Sequence, residues 1–170
     1  MQGAKSMSVV KSQRKESKFE VLHHAYQLRK EITDMLLHDF GYRPKPKEGV
    51  TENEYQQQRR YAFESWFIQD SREVIIKRMR DLIANLIAAN TMYPVNDAEW
   101  TERRLYQDRA IINCYQLLQE LQYAIETIHP DINRYTRLAL EIDTEIKLIK
   151  GWRKSDNKVK SKPTGRAASI

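Results

Sequence analysis

Between residues 111 and 128 the apolar side chains Ile111, Cys114, Leu118, Leu121, Ile125 and Ile128 recur at alternating steps of three and four. Such spacing keeps one stripe of a helix facing one partner, the seam of a coiled-coil-like bundle. A strand, which repeats every two residues, cannot use it. The seam returns in Tyr135, Leu138, Ile142, Ile146, Ile149 and Trp152. With only 5 Gly and 5 Pro in 170 residues, the chain has too few breakers for a turn-rich β pattern. An all-α fold is expected.

The breakers that do occur divide the chain into four helices. The first is predicted over 18–40, with Phe19, Leu22, Tyr26, Ile32, Met35 and Leu36 near its stripe. Ser17 and Glu20 form an S-x-x-E capping box at its start. Pro44, Pro46 and Gly49 make 41–54 a loop. The second helix is predicted over 55–92 and stopped by Pro94; Asp97 is the expected N-cap of a third, which runs to about 128. The fourth starts near Asp131, after His129 and Pro130. Mostly short connections imply an up-down-up-down four-helix bundle over residues 17–154. A basic N-terminal arm (1–16) precedes it and a basic, disordered tail (155–170) follows.

The second helix carries more apolar surface than one core needs. Tyr61, Phe63, Trp66 and Phe67, then Val74, Ile75 and Ile76, spread around well over half of its circumference. A helix facing a single core needs a stripe only a little over ~100° wide. Trp66, Phe67 and Ile76 are therefore expected at an oligomer interface, and Ala84 and Ala88 would allow close helix approach.

Catalytic patterns are missing. There is no Gly-rich phosphate loop, no C-x-x-C and no G-x-S-x-G. The single cysteine, Cys114, sits on a seam, where a small buried hydrophobe is expected rather than a nucleophile. Two E-x-x-H patterns, Glu20 to His23 and Glu126 to His129, resemble half-sites of di-metal bundles. The topology separates them by roughly 30 Å, at 1.5 Å per residue over ~20 residues, so no shared metal site is expected. No enzyme activity, metal or cofactor is anticipated. With no signal peptide, membrane span or disulfide pair in view, the expected location is the cytoplasm.

Charge is concentrated at the two ends. Lys5, Lys11, Arg14, Lys15 and Lys18 face only Glu16 in the first eighteen residues, and eight Lys or Arg face only Asp156 from 147 onward. The net charge of +6 therefore hides an acidic body between two basic ends. In the expected topology these ends share one end of the bundle. Lys147, Lys150 and Arg153 can also be explained as complements to a helix C-terminus. Lys158, Lys160, Lys162 and Arg166, beyond the expected end of the helix, and Lys11, Arg14 and Lys15, ahead of a helix start, cannot. Clustered cations attract a polyanion, so Lys11, Arg14, Lys15, Lys18, Lys147, Lys150, Arg153, Lys154 and Lys158 are the candidate nucleic-acid-binding residues.

Four stretches, "MSVVKSQRKESKFEVLHHAYQLRKEI", "ANTMYP", "RRLYQDRAIINCYQLLQELQYAIE" and "LIKGWRKSD", carry a family likeness. Over about residues 7–155 the chain resembles the four-helix-bundle accessory variability determinants of diversity-generating retroelements. These are similar in turn to bundle proteins encoded within intervening sequences of bacterial 23S ribosomal RNA genes. The resemblance implies a homopentameric, barrel-like, basic bundle without catalysis of its own. It also implies binding to a reverse transcriptase and to template RNA or its RNA/cDNA product, in support of error-prone cDNA synthesis. The residues alone admit an alternative: an oligomeric protein-interaction scaffold that does not touch nucleic acid.

Overall fold

The computed structural model describes residues 18–38, 53–128, 130 and 132–160. The described residues form four helices, α1 (Lys18–Leu37), α2 (Glu54–Thr91), α3 (Asp97–Ile128) and α4 (Ile132–Lys160), and no strand. Each helix packs on two neighbours in the cyclic order α1, α2, α3, α4, with α2 and α3 sharing the most extensive contact. This is a four-helix bundle.

The packed faces follow the three-four rhythm. On α1 it runs through Val21, Ala25, Leu28, Ile32 and Met35; Tyr26, placed on the stripe by sequence, is exposed instead. On α4 all six predicted seam residues, from Tyr135 to Trp152, are buried. On α3 four of the six predicted seam residues, Ile111, Cys114, Leu121 and Ile128, are buried, while Leu118 and Ile125 sit half-buried; Arg103, Gln107, Ala110, Asn113, Leu117 and Ala124 complete the buried face. An eye for apolar residues alone misses the start of this face, because it opens with an arginine and a glutamine and uses alanines between the larger side chains.

Local capping sets the helix starts. Asn53 accepts from the Gln56 amide (2.8 Å) and Gln56 Oε1 accepts from the Asn53 amide (3.3 Å), a reciprocal capping box at α2. For α3 the cap is Asn96, whose Oδ1 accepts from the Glu99 amide at 3.0 Å. Asp97, the expected cap, is the first helical residue, where its charge faces the positive end of the helix dipole. The Ser17 cap, residues 41–52 of the expected 41–54 loop, His129 and Asp131 lie outside the described residues.

Two helices extend well past their buried apolar faces. Glu54 lies thirteen residues, about 20 Å, before Phe67, the first buried side chain described on α2. At the other end α4 continues to Lys160, so residues 155–160, expected in a disordered tail, are helical. Residues 161–170 lie outside the described residues.

Candidate nucleic-acid interface

The end of the bundle where α2 finishes, α3 starts and α4 finishes is organised by one buried arginine. Arg103 donates Nε and Nη2 to the two carboxylate oxygens of Asp156 at 2.8 and 2.9 Å, and Nη1 to the Met92 carbonyl at 2.8 Å. Gln107 Nε2 adds a 2.8 Å bond to Asp156. The guanidinium lies 5.2 Å from the ring of buried Trp152 and 5.8 Å from that of Trp100. This network ties the connection after α2 to α3 and α4, and so fixes which α4 residues face outward beside α3.

Those outward residues meet a matching row on α3. Arg104, Lys150, Arg153, Lys154 and Asn157 line a shallow cavity of about 300 Å³. Arg104 and Asn157 also border a second cavity of about 210 Å³, with Trp100, Arg103 and Lys160 among its other walls. Arg104 Nη1 reaches Asn157 Oδ1 at 3.3 Å, and Arg153 Nη1 lies 2.6 Å from Asp108, which also stands 3.8 Å from Arg104 Nε. Lys150 Nζ sits 5.9 Å over the Tyr115 ring and 3.5 Å from its hydroxyl. Lys154 is exposed and has no ion pair among the described residues. Four cations thus line one groove, and among the described residues a single carboxylate, Asp108, pairs with any of them. Their mutual repulsion is relieved by an anion.

The groove sorts the predicted residues. Lys150, Arg153 and Lys154 are together in it. Lys147 stands on the same face but is paired with Asp143 at 2.6 Å. Lys158 is exposed in the last turn, and Lys160 is paired with Asp97 at 2.9 Å. Because α4 ends at Lys160, its negative end is complemented by Lys158 and Lys160. Lys147, Lys150 and Arg153 stand too far back for that explanation. Lys18 begins α1; Lys11, Arg14 and Lys15 lie outside the described residues. Arg104, Tyr115 and Trp100 were not foreseen. Their signal was spacing: 100, 104, 108 and 115 fall on one face of a helix, as 150, 154 and 157 do.

The expected oligomer residues divide. Phe67 is 2% exposed, with its ring 5.3 Å from that of Tyr123, so it belongs to the chain's own core and not to an interface. Ile76 packs partly buried against the same core. Trp66 is 60% exposed and lies beside Phe63, also exposed, at 5.9 Å between ring centroids.

A titratable pair lies between α1 and α4. His24 Nδ1 is 2.6 Å from Oε2 of Glu145, which is fully buried, and Nε2 is 3.2 Å from Glu141. The hydrogen bond to Glu145 raises the His24 pKa above its usual 6.5 against the opposing effect of burial. Burial raises that of Glu145 above 4.5 despite His24 beside it. Burial likewise pushes the Cys114 thiol well above the usual range, which makes it a poor nucleophile. Among the described residues no three His, Cys, Asp or Glu side chains converge as a metal site, and no helix is long and apolar enough to cross a membrane.

The chain matches no protein-family model, and no curated protein or solved structure is significantly similar to it.

Proposed function

We propose that this chain is a non-catalytic, nucleic-acid-binding accessory protein of a diversity-generating retroelement, acting in the cytoplasm with the element's reverse transcriptase and its template RNA. The observation that carries the nucleic-acid reading is the groove in which Arg104, Lys150, Arg153 and Lys154 line one cavity. The retroelement assignment rests on the four stretches that resemble accessory variability determinants. In "LIKGWRKSD" the two roles interleave: Trp152 is core and Asp156 holds Arg103, while Lys150, Arg153 and Lys154 face the groove.

Contacts of this kind go to backbone phosphates and carry little sequence information, so selectivity would come from RNA shape or from the polymerase. Binding of a fluorescein-labelled single-stranded RNA, followed by anisotropy across a KCl series, should show a log-log salt slope of about −0.7 per phosphate neutralised. Lys150→Ala, Arg153→Ala and Lys154→Ala combined should flatten it by about two units and weaken unrelated RNA sequences alike. A triple variant with wild-type affinity and slope would remove the groove from the binding surface.

The alternative, an interaction scaffold, is favoured by a different observation: Tyr61, Phe63 and Trp66 lie exposed on the early turns of α2, ahead of buried Phe67. The two readings share an oligomer, which the family likeness makes a pentamer. Trp66→Glu should lower the mass in light scattering to that of a smaller species with far-UV circular dichroism intact, because an exposed substitution leaves the fold within about ±0.5 kcal/mol while a charge at a buried interface is costly. An unchanged mass would exclude Trp66 from any subunit contact.

A further inference from the structure

The groove does not end at its cations. It has an aromatic ring at each end of the same α3 face: half-buried Trp100 in the wall of the smaller cavity, and Tyr115, 49% exposed, beneath Lys150. From residue 100 to residue 115 is about 22 Å along the helix axis. Between the rings stand Arg104, Arg153 and Lys154, with Asp108 holding the two arginines in place. Cations that track a backbone, combined with rings that offer a stacking face, are the pattern by which single strands are held without base reading. A duplex does not suit it, since paired bases are stacked inside the helix and cannot reach a ring on the protein surface.

We infer that this groove is a lane for one single strand of nucleic acid, with phosphates taken by Arg104, Lys150, Arg153 and Lys154 and an unstacked base taken by Tyr115. The inference rests on the nucleic-acid reading above and narrows it from nucleic acid in general to unpaired strands. Lys150 supplies the exchange that opens the site. Its ammonium rests on the ring and on a hydroxyl at 3.5 Å, the outer limit of a hydrogen bond, with no carboxylate partner among the described residues. An arriving phosphate draws the ammonium away, and the uncovered face of Tyr115 meets the base. The strand then replaces a cation–ring contact with an ion pair and a stack.

The test measures a labelled twelve-residue oligouridylate, its oligodeoxythymidylate counterpart and a twelve-base-pair RNA duplex against the full chain, by anisotropy at several KCl concentrations. Both single strands should bind more tightly than the duplex. Tyr115→Ala should weaken single-strand binding about 5- to 150-fold, the range for losing one stacked base, with its salt slope unchanged; Tyr115→Phe should keep wild-type affinity. Arg104→Ala should instead reduce the slope by about 0.7. Tyr115 is half exposed, and thermal melts of both variants establish that each is folded. Tight duplex binding, or a Tyr115→Ala variant with wild-type affinity for single strands, would overturn the lane while leaving a nucleic-acid surface in place. A wild-type chain that binds none of the three probes would overturn both.

Discussion

Asp156→Ala is expected to lower the unfolding free energy by about 3–5 kcal/mol, measured by urea denaturation followed by circular dichroism, because it strips the partner from a buried guanidinium. Arg103 is only 2% exposed, and Asp156 takes two of its donors and one from Gln107. Without the carboxylate, Arg103 keeps its bond to the Met92 carbonyl and its contact with the Trp152 ring, neither of which neutralises it. Arg103→Met should cost less than this, since Asp156 lies nearer solvent than Arg103 and recovers water. The double variant Arg103→Met with Asp156→Leu should regain much of the Asp156→Ala loss, as apolar side chains of similar volume often match or exceed a buried ion pair. Strict additivity of the two single changes would mean that the pair is not coupled, and this account of the bundle end would fail. The pair also holds the last turns of α4 in register with α3. Asp156→Ala should therefore disorder the groove, and its RNA affinity should fall although Asp156 itself bears the wrong charge to touch phosphate.

This residue shows where the sequence stops being readable. Helix number and order followed from breakers and from the three-four rhythm, and the α4 seam was legible from Tyr135 to Trp152 because every member is apolar. The α3 line was legible only in part, from Ile111 to Ile128, since Arg103 and Gln107 occupy seam positions that only their mutual spacing with Ala110 and Cys114 reveals. The same limit applies to charge. In sequence, Lys147 and Arg153 look like free cations, yet one is paired four residues back along its own helix and the other with Asp108, 45 positions away. Pairing across helices depends on register, which periodicity does not fix. Phe67 and Trp66 make the complementary point: adjacent aromatics on a long helix face different ways, and only the position of Tyr123 decides which is core.

His24, which no sequence pattern marks out, supplies the second large effect. Folding raises the pKa of both His24 and Glu145, so the folded chain binds more protons than the unfolded one wherever either group titrates. Stability from this pair is complete below the unfolded values of 4.5 and 6.5 and is lost as pH rises through the folded ones. Each proton contributes a slope of at most about 1.4 kcal/mol per pH unit. Removing His24 leaves Glu145 fully buried, with one oxygen already lacking a partner, and nothing to oppose its desolvation. His24→Leu should thus cost less at pH 5 than at pH 8, because the raised pKa of Glu145 makes protonation its escape in acid, with a penalty of about 3–5 kcal/mol where it is left ionised. His24→Leu with Glu145→Leu should recover much of the loss at pH 8 and differ from wild type by an amount that shifts in favour of the double variant as pH rises. Urea denaturation of the three proteins at pH 5, 6.5 and 8 measures this directly. A His24→Leu penalty that is constant across that range, or larger at pH 5, would mean that Glu145 is not the group left stranded and that the α1–α4 contact is held by packing alone.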